Sequence, residues 1–251
     1  MTPSRPGESR TSDPPVFLTA VWRDLAMLNF EADPRLVAPW VPAGTELDAY
    51  DGRTMVSIVG FLFLETRVAG LPIPGHRNFE EVNLRFYVRR SIHGERRRGV
   101  VFIRELVPLR AVAWTARALY GERYGTAVIR HRHAQDDGKR SVVYEWQRDA
   151  ARGRISLTAS GEPSALVAGS EEEFIADHAW GYVAREGRTT LEYRVDHPRW
   201  RIWRVASPEF ECDSEAFYGR AWAPILARPP VSAFLAEGSE IALRRGRGID
   251  A

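Results

Sequence analysis

The stretch Glu81-Val-Asn-Leu-Arg-Phe-Tyr-Val88 sets polar and apolar side chains in strict alternation, and its reading decides the fold. Successive side chains on a strand point to opposite faces. Glu81, Asn83, Arg85 and Tyr87 therefore share one face, and Val82, Leu84, Phe86 and Val88 share the other. Such a strand belongs to an antiparallel sheet with one dry face; in a barrel, the polar face lines an interior cavity instead of the outer surface. Glu81 and Arg85 stand roughly 13 Å apart along the strand, so they do not simply neutralise each other. A hairpin around residues 93–98 that sets residue 85 opposite residue 105 gives Arg85 a partner in Glu105. A one-residue slip would oppose Arg104 to Arg85, which is repulsive, so the first register is expected. The row then has two readings. One is a solvated face held by cross-strand ion pairs. The other is a pocket for a polar or anionic ligand, with Arg85 as a forked donor, Asn83, Tyr87 and Glu105 as further contacts, and Glu81 as a candidate base.

Outward from this strand, the chain reads as many short strands with a few helices. Residues 79–92 and 99–107 are strands, and the run 55–64 is apolar on both faces, as a doubly buried strand requires. Asp51-Gly52 is a hairpin turn, and Asp33-Pro34 starts a short helix with an N-cap carboxylate and proline at the first helical position. Residues 16–30 form a first strand with a possible bulge at Arg23-Asp24. Downstream, 111–120 has helical spacing, and 127–134 and 141–148 form a hairpin around Asp136-Asp-Gly-Lys139. Ser170-Glu-Glu-Glu173 is a capping box opening a helix to about residue 183. Residues 154–160 and 189–195 are strands, 214–226 a helix, and 231–243 a closing strand. No repeat or linker divides the chain. The expectation is one mostly β domain over 16–243, a disordered tail over 1–15 and a flexible basic tail over 244–251.

Composition removes several function classes. A net charge of +2 over 251 residues is too small to imply an acidic partner, so neither nucleic acid nor a membrane is expected. No apolar run reaches the length of a membrane span, and residues 1–15 lack the apolar core of a signal peptide. With Cys212 alone, no intrachain disulfide forms, and a cytoplasmic setting is expected. Lys139 is the only lysine, which leaves little room for lysine chemistry.

Three segments together resemble the YqjF-like family of uncharacterised bacterial proteins, which is related to acetoacetate decarboxylase. They are Asp33-Pro34…Leu36…Val41-Pro42…Glu46-Leu47-Asp48, the Glu81-x-Asn83-x-Arg85-x-Tyr87-Val88 strand, and His197-Pro198-x-Trp200. The resemblance spans residues 16–243 and implies an acetoacetate-decarboxylase-like antiparallel barrel around a central cavity, with peripheral helices and the polar row facing inward. Decarboxylases of that type hold the substrate ketone on a lysine imine. Their lysine pair follows a strand resembling Arg104-Glu105-Leu106, which continues here as Val107-Pro108-Leu109-Arg110. Arginine stays protonated and forms no imine, so Schiff-base decarboxylation is not expected.

Other chemistries have weaker support. His131 and His133 share a strand face, but no carboxylate follows at ligand spacing and arginines intervene, so no metal is expected. Cys212 lies between Glu211 and Asp213, which disfavours a thiolate. There is no nucleophile elbow, phosphate loop or dinucleotide fingerprint, and no cofactor is expected. The runs Arg96-Arg97-Arg98 and Arg244-Arg245-Gly-Arg247 read as solvated charge at a hairpin tip and at the tail. The 197–200 loop reads as a turn whose Trp200 packs on the barrel. Two functions remain: a small-molecule-binding barrel, enzymatic or not, or an interaction module whose interior is filled by side chains.

Overall fold

A computed structural model describes residues 13–136, 138–185, 189–205 and 207–249, with only the backbone of 116–120. The residues expected as an N-terminal tail lie almost wholly outside the described ones. Most of the remainder is strand. Fourteen strands make one large sheet and four make a second, Val128–Asp136, Lys139–Arg148, Ala151–Ser160 and Glu209–Cys212.

The first strand, Val16–Glu31, organises the large sheet. It pairs with Met55–Val68 along almost its whole length. Asp24 takes a left-handed φ of 55° at the expected bulge, where the register shifts between Arg23 and Ala26. The opposite edge of that strand pairs in turn with Ser232–Ala236 and Glu240–Arg244. These replace the single closing strand expected over 231–243. The break falls at Gly238, where a Cβ would lie 2.1 Å from the Trp22 carbonyl oxygen.

The strand Met55–Val68 pairs with Phe79–Ile92, which pairs with Glu95–Val107. The apolar and polar faces of Phe79–Ile92 separate as the alternation predicts. Val82, Leu84, Phe86 and Val88 are fully buried in a cluster with Val142, Tyr144, Trp146, Ile155 and Leu157 of the four-stranded sheet. Gly60 makes that packing possible, since a Cβ there would stand 2.8 Å from the Tyr144 ring. Tyr87 joins a second cluster on the other side, with Met27, Val59, Phe61, Phe174 and Tyr193.

The hairpin register differs from expectation. The turn is the tight pair His93-Gly94, both at positive φ (48° and 82°), closed by Ile92 opposite Glu95. Residue 85 therefore faces Phe102, and the register shifts between Leu84 and Arg85, so that Asn83 faces Glu105. Glu105 is thus not the cross-strand partner of Arg85.

Asp33 caps its helix as expected, accepting from the Arg35 amide, and Ser170 caps the helix Glu171–Ala176 by accepting from Glu173 N. That second helix is shorter than its capping box suggested, because residues 180–184 form a strand paired with Thr190–Asp196. The 214–226 segment is two short helices, Ser214–Tyr218 and Ala223–Leu226, separated at Gly219 with φ 94°. Residues 247–249 of the expected tail form a strand on Thr190–Asp196, with Ile249 buried. Among the described residues, no helix is long and apolar enough to cross a membrane.

Candidate functional site

The polar row lies almost wholly inside the protein. Glu81, Asn83 and Glu105 are 2%, 1% and 2% exposed, Tyr87 is fully buried and Arg85 half-buried. The solvated-face reading of this row is therefore excluded. A residue the sequence did not single out, Glu122, joins it just before the short strand Tyr124–Thr126, which pairs with the end of Glu95–Val107.

At one end of the row three carboxyl groups gather. Asn83 Nδ2 donates to Glu81 Oε1 at 2.9 Å and the Tyr124 hydroxyl to Glu81 Oε2 at 3.0 Å. The Tyr193 hydroxyl donates to Glu122 Oε1 at 2.8 Å. Burial pushes the Glu81 carboxyl up to about 7, against the lowering effect of its Asn83 and Tyr124 bonds and of the Arg85 charge. Burial also raises Glu122 to about 8, helped by the Glu81 charge and opposed by the Tyr193 bond. Glu105 rises well above the usual range through burial and the charges of Glu122 and Glu81. The cluster therefore holds protons near neutrality and is able to exchange them. Two of its oxygens, Asn83 Oδ1 and Glu105 Oε2, have no hydrogen-bond partner among the described residues.

The other end of the row is basic. Arg85 Nη2 donates to the Ile175 carbonyl at 3.2 Å, its guanidinium lies 5.8 Å from the Tyr87 ring centroid, and Nε is buried without an acceptor. Among the described residues Arg85 forms no ion pair. His178 packs on Tyr87 and Phe174, at 4.8 and 5.8 Å between ring centroids. Burial, followed by the charges of Arg98 and Arg85, holds this imidazole neutral; the Ile175 carbonyl works the other way. Neither ring nitrogen makes a hydrogen bond of ordinary geometry.

Tyr87 is fixed by a chain of hydrogen bonds. Ser57 Oγ donates to Asn29 Oδ1 at 2.6 Å, which leaves Tyr87 as the donor in the 2.6 Å contact with Ser57. Asn29 Nδ2 donates to Ser232, Ser232 donates to Glu171, and Glu171 pairs with Arg53 at 2.8 Å. The chain ties the row to the helix Glu171–Ala176, which covers it with Phe174 and Ile175. A cleft of about 980 Å³ lies elsewhere, over the four-stranded sheet between Arg110, Trp146 and Arg154. A smaller one of about 290 Å³ reaches Glu122 and Tyr124 past Trp40 and Arg123.

The remaining candidates are accounted for by packing. The two histidines gain the carboxylates that local sequence lacked: His131 Nδ1 lies 2.7 Å from Glu80 and His133 Nδ1 lies 2.8 Å from Asp24, joining the two sheets. No group of three metal-ligating side chains occurs among the described residues. Two of the three hairpin arginines are not loosely solvated. Arg97 lies over Trp180 and bonds Glu192, and Arg98 lies over Phe174 and bonds Asp48. Trp200 packs on the large sheet as expected, buried with its ring edge-on to Trp22 of the first strand at 6.1 Å and stacked on His197 at 4.4 Å. Burial pushes the Cys212 thiol up to about 12, so it is no nucleophile. Lys139 is exposed in its hairpin.

These elements define a mostly β protein of the acetoacetate decarboxylase fold. The chain is similar to the acetoacetate decarboxylase of Legionella pneumophila, with a TM-score of 0.67 and 12% identity over 98% of this chain and 92% of that one. It is also similar to an acetoacetate decarboxylase-like enzyme from Sphingomonas wittichii RW1 (TM-score 0.62, 16% identity, 94% of each chain). A third likeness is to the enduracididine biosynthesis enzyme MppR complexed with pyruvate (TM-score 0.66, 16% identity, 96% and 93%). At these identities the likeness is one of fold. The family model DUF2071, an uncharacterised conserved protein, matches residues 19–240, and the chain belongs to that family. The uncharacterised protein YqjF of Bacillus subtilis (strain 168) is 38% identical over 68 residues, 27% of this chain and 28% of that protein.

Proposed function

We propose that the protein is a small-molecule-binding barrel for a polar or anionic metabolite, with Arg85 as anchor and Glu81 as an acid–base group. The observation that carries this is Arg85, a half-buried, inward-facing guanidinium that forms no ion pair among the described residues, its charge reaching Glu81 only at longer range. Burying a charge without a counter-charge costs several kcal/mol, and a purely structural row would pair it. Glu81, with a pKa of about 7, has the proton affinity a neutral-pH acid or base needs.

The barrel itself is supported by a circuit of pairings. From Val16–Glu31 it runs through 55–68, 79–92, 95–107, 180–184, 190–196 and 240–244 back to the start. The lone, half-buried Cys212 supports a cytoplasmic setting. Schiff-base decarboxylation is not part of the proposal. Borohydride with a β-keto acid should leave no adduct, and an adduct on Lys139 would overturn that exclusion.

The test is a melting-temperature screen against small carboxylates and phosphates. The expected result is a ligand-dependent rise in the wild type that Arg85→Ala abolishes without unfolding the chain. A second reading, an interaction module with a side-chain-filled interior, is favoured by the near-complete burial of Glu81, Asn83 and Tyr87. It predicts no rise with any metabolite.

A further inference from the structure

The unsatisfied atoms of the buried row differ between its two ends. At the Arg85 end they are the donor Arg85 Nε and the two ring nitrogens of His178, one donor and one acceptor in the neutral ring, while at the Glu81 end they are two oxygens, Asn83 Oδ1 and Glu105 Oε2. Asn83 is 1% exposed, sits between Glu81 and Glu105 through its bond to the former and its pairing with the latter, and keeps its amide oxygen without a donor. The donors at this end, Asn83 Nδ2, the hydroxyls of Tyr124 and Tyr193 and the protons the raised carboxyls keep, are fewer than the six carboxyl oxygens and the Asn83 oxygen with their two lone pairs each. Buried polar atoms are rarely left unpaired, and a group of one kind in excess calls for the opposite kind from a ligand.

Building on the anion-binding reading of Arg85, we propose that the ligand is a zwitterion. Its carboxylate or other anionic group lies at Arg85 and His178, and its ammonium or guanidinium group lies among Glu81, Asn83, Glu105 and Glu122. Asn83 and Arg85 are two residues apart on one strand face, roughly 7 Å, and Glu81 is roughly 13 Å from Arg85. A straight chain of about four to eight carbons between the two charges spans that interval. An ammonium supplies three donors and a guanidinium five, which suits an acceptor-rich end better than any neutral group. The site then discriminates by charge at both ends: a simple carboxylate leaves the acceptors of the Glu81 end unpaired, and a simple amine leaves Arg85 unpaired.

The test is calorimetric titration of the full chain with ω-amino carboxylates of four to eight carbons, the matching plain carboxylates, and the matching alkylamines. In the wild type the best ω-amino carboxylate is expected to bind at least about tenfold more tightly than its plain counterpart. Glu105→Gln and Glu122→Gln, which keep side-chain shape, should each reduce that advantage to less than about threefold while leaving plain-carboxylate affinity in place. Arg85→Ala should abolish binding of both acids. Equal affinity of the amino and plain acids in the wild type, or an advantage unchanged in both Gln variants, would overturn the zwitterion and leave the Arg85 anchor standing. Plain-carboxylate binding that survives Arg85→Ala, or no binding by any compound, would overturn the anchor and the zwitterion together.

Discussion

The molecule buries carboxylates in two ways. Glu192, whose side chain is wholly buried, is surrounded by arginines: Arg90 Nη1 at 3.1 Å, Arg97 Nη1 at 3.0 Å and Arg247 Nη2 at 2.8 Å. Burial works to raise its pKa, but the Arg247 bond and the charges of Arg97, Arg247 and Arg90 outweigh it, and the group stays ionised. Glu81, Glu105 and Glu122 form no ion pair among the described residues; burial outweighs the charges of Arg85 on Glu81 and Arg123 on Glu122, and all three are raised. Arg85 stands on the same strand as Arg90, yet it forms no ion pair among the described residues, its charge reaching Glu81 only at longer range. Where the fold needs a charge neutralised, it supplies the partner. At the polar row it does not, and the difference separates a structural network from a candidate binding site.

The largest effect is expected from breaking the structural side of this comparison. Glu192→Gln leaves three arginines around a neutral group and should cost about 3–5 kcal/mol in urea denaturation at neutral pH. A loss near zero would mean that the two sites do not differ as described.

The next effect is a pH dependence of opposite sign at the two sites. Glu81 and Glu122 have folded-state values above the unfolded 4.5, so their stabilising contribution is complete below that pH and is lost as pH rises toward about 7 and 8. Each can contribute a slope of at most about 1.4 kcal/mol per pH unit in that window. Glu192, being depressed, contributes stability above the unfolded value and loses it as pH falls through its folded value. Urea midpoints across the range should show wild-type stability declining from mildly acid to mildly basic pH, with a shallower decline in Glu122→Gln.

A smaller loss is expected from Gly181→Ala. A Cβ there would stand 2.1 Å from the Tyr193 ring, whose hydroxyl holds Glu122. Displacing the ring should cost about 1–3 kcal/mol and, by removing the bond that opposes the rise at Glu122, carry the decline in stability to higher pH. Glu122→Gln itself should be more stable than the wild type above pH 8, since no charge then needs burying, with the gain shrinking to nothing as pH falls toward 4.5.

What the sequence disclosed was local. Strict alternation over residues 81–88 sorted the two faces of one strand correctly, and Arg23-Asp24, Asp33-Pro34 and Ser170 were legible because a bulge or a cap is written in adjacent residues. The cross-strand register was not, because a tight His93-Gly94 turn and a bulge near Ile103 each shift it, and neither leaves a mark in the polar pattern. Glu122 escaped notice because it precedes a three-residue strand and becomes part of the site only through the pairing of Tyr124 with Glu105. The partners of His131 and His133 come from strands about 50 and 110 residues earlier. The Arg97 and Arg247 runs looked like loose charge for the same reason: their common acid, Glu192, is distant in the chain.

The central claim is that Arg85 is kept for a ligand and not for the fold. Urea denaturation of Arg85→Met, measured beside the wild type at pH 7 without added ligand, tests it directly. The account predicts stability equal to the wild type or slightly higher, because an unpaired charge is replaced by an apolar side chain of similar length. A loss of about 3 kcal/mol or more would show that Arg85 holds the structure together, and would contradict the account.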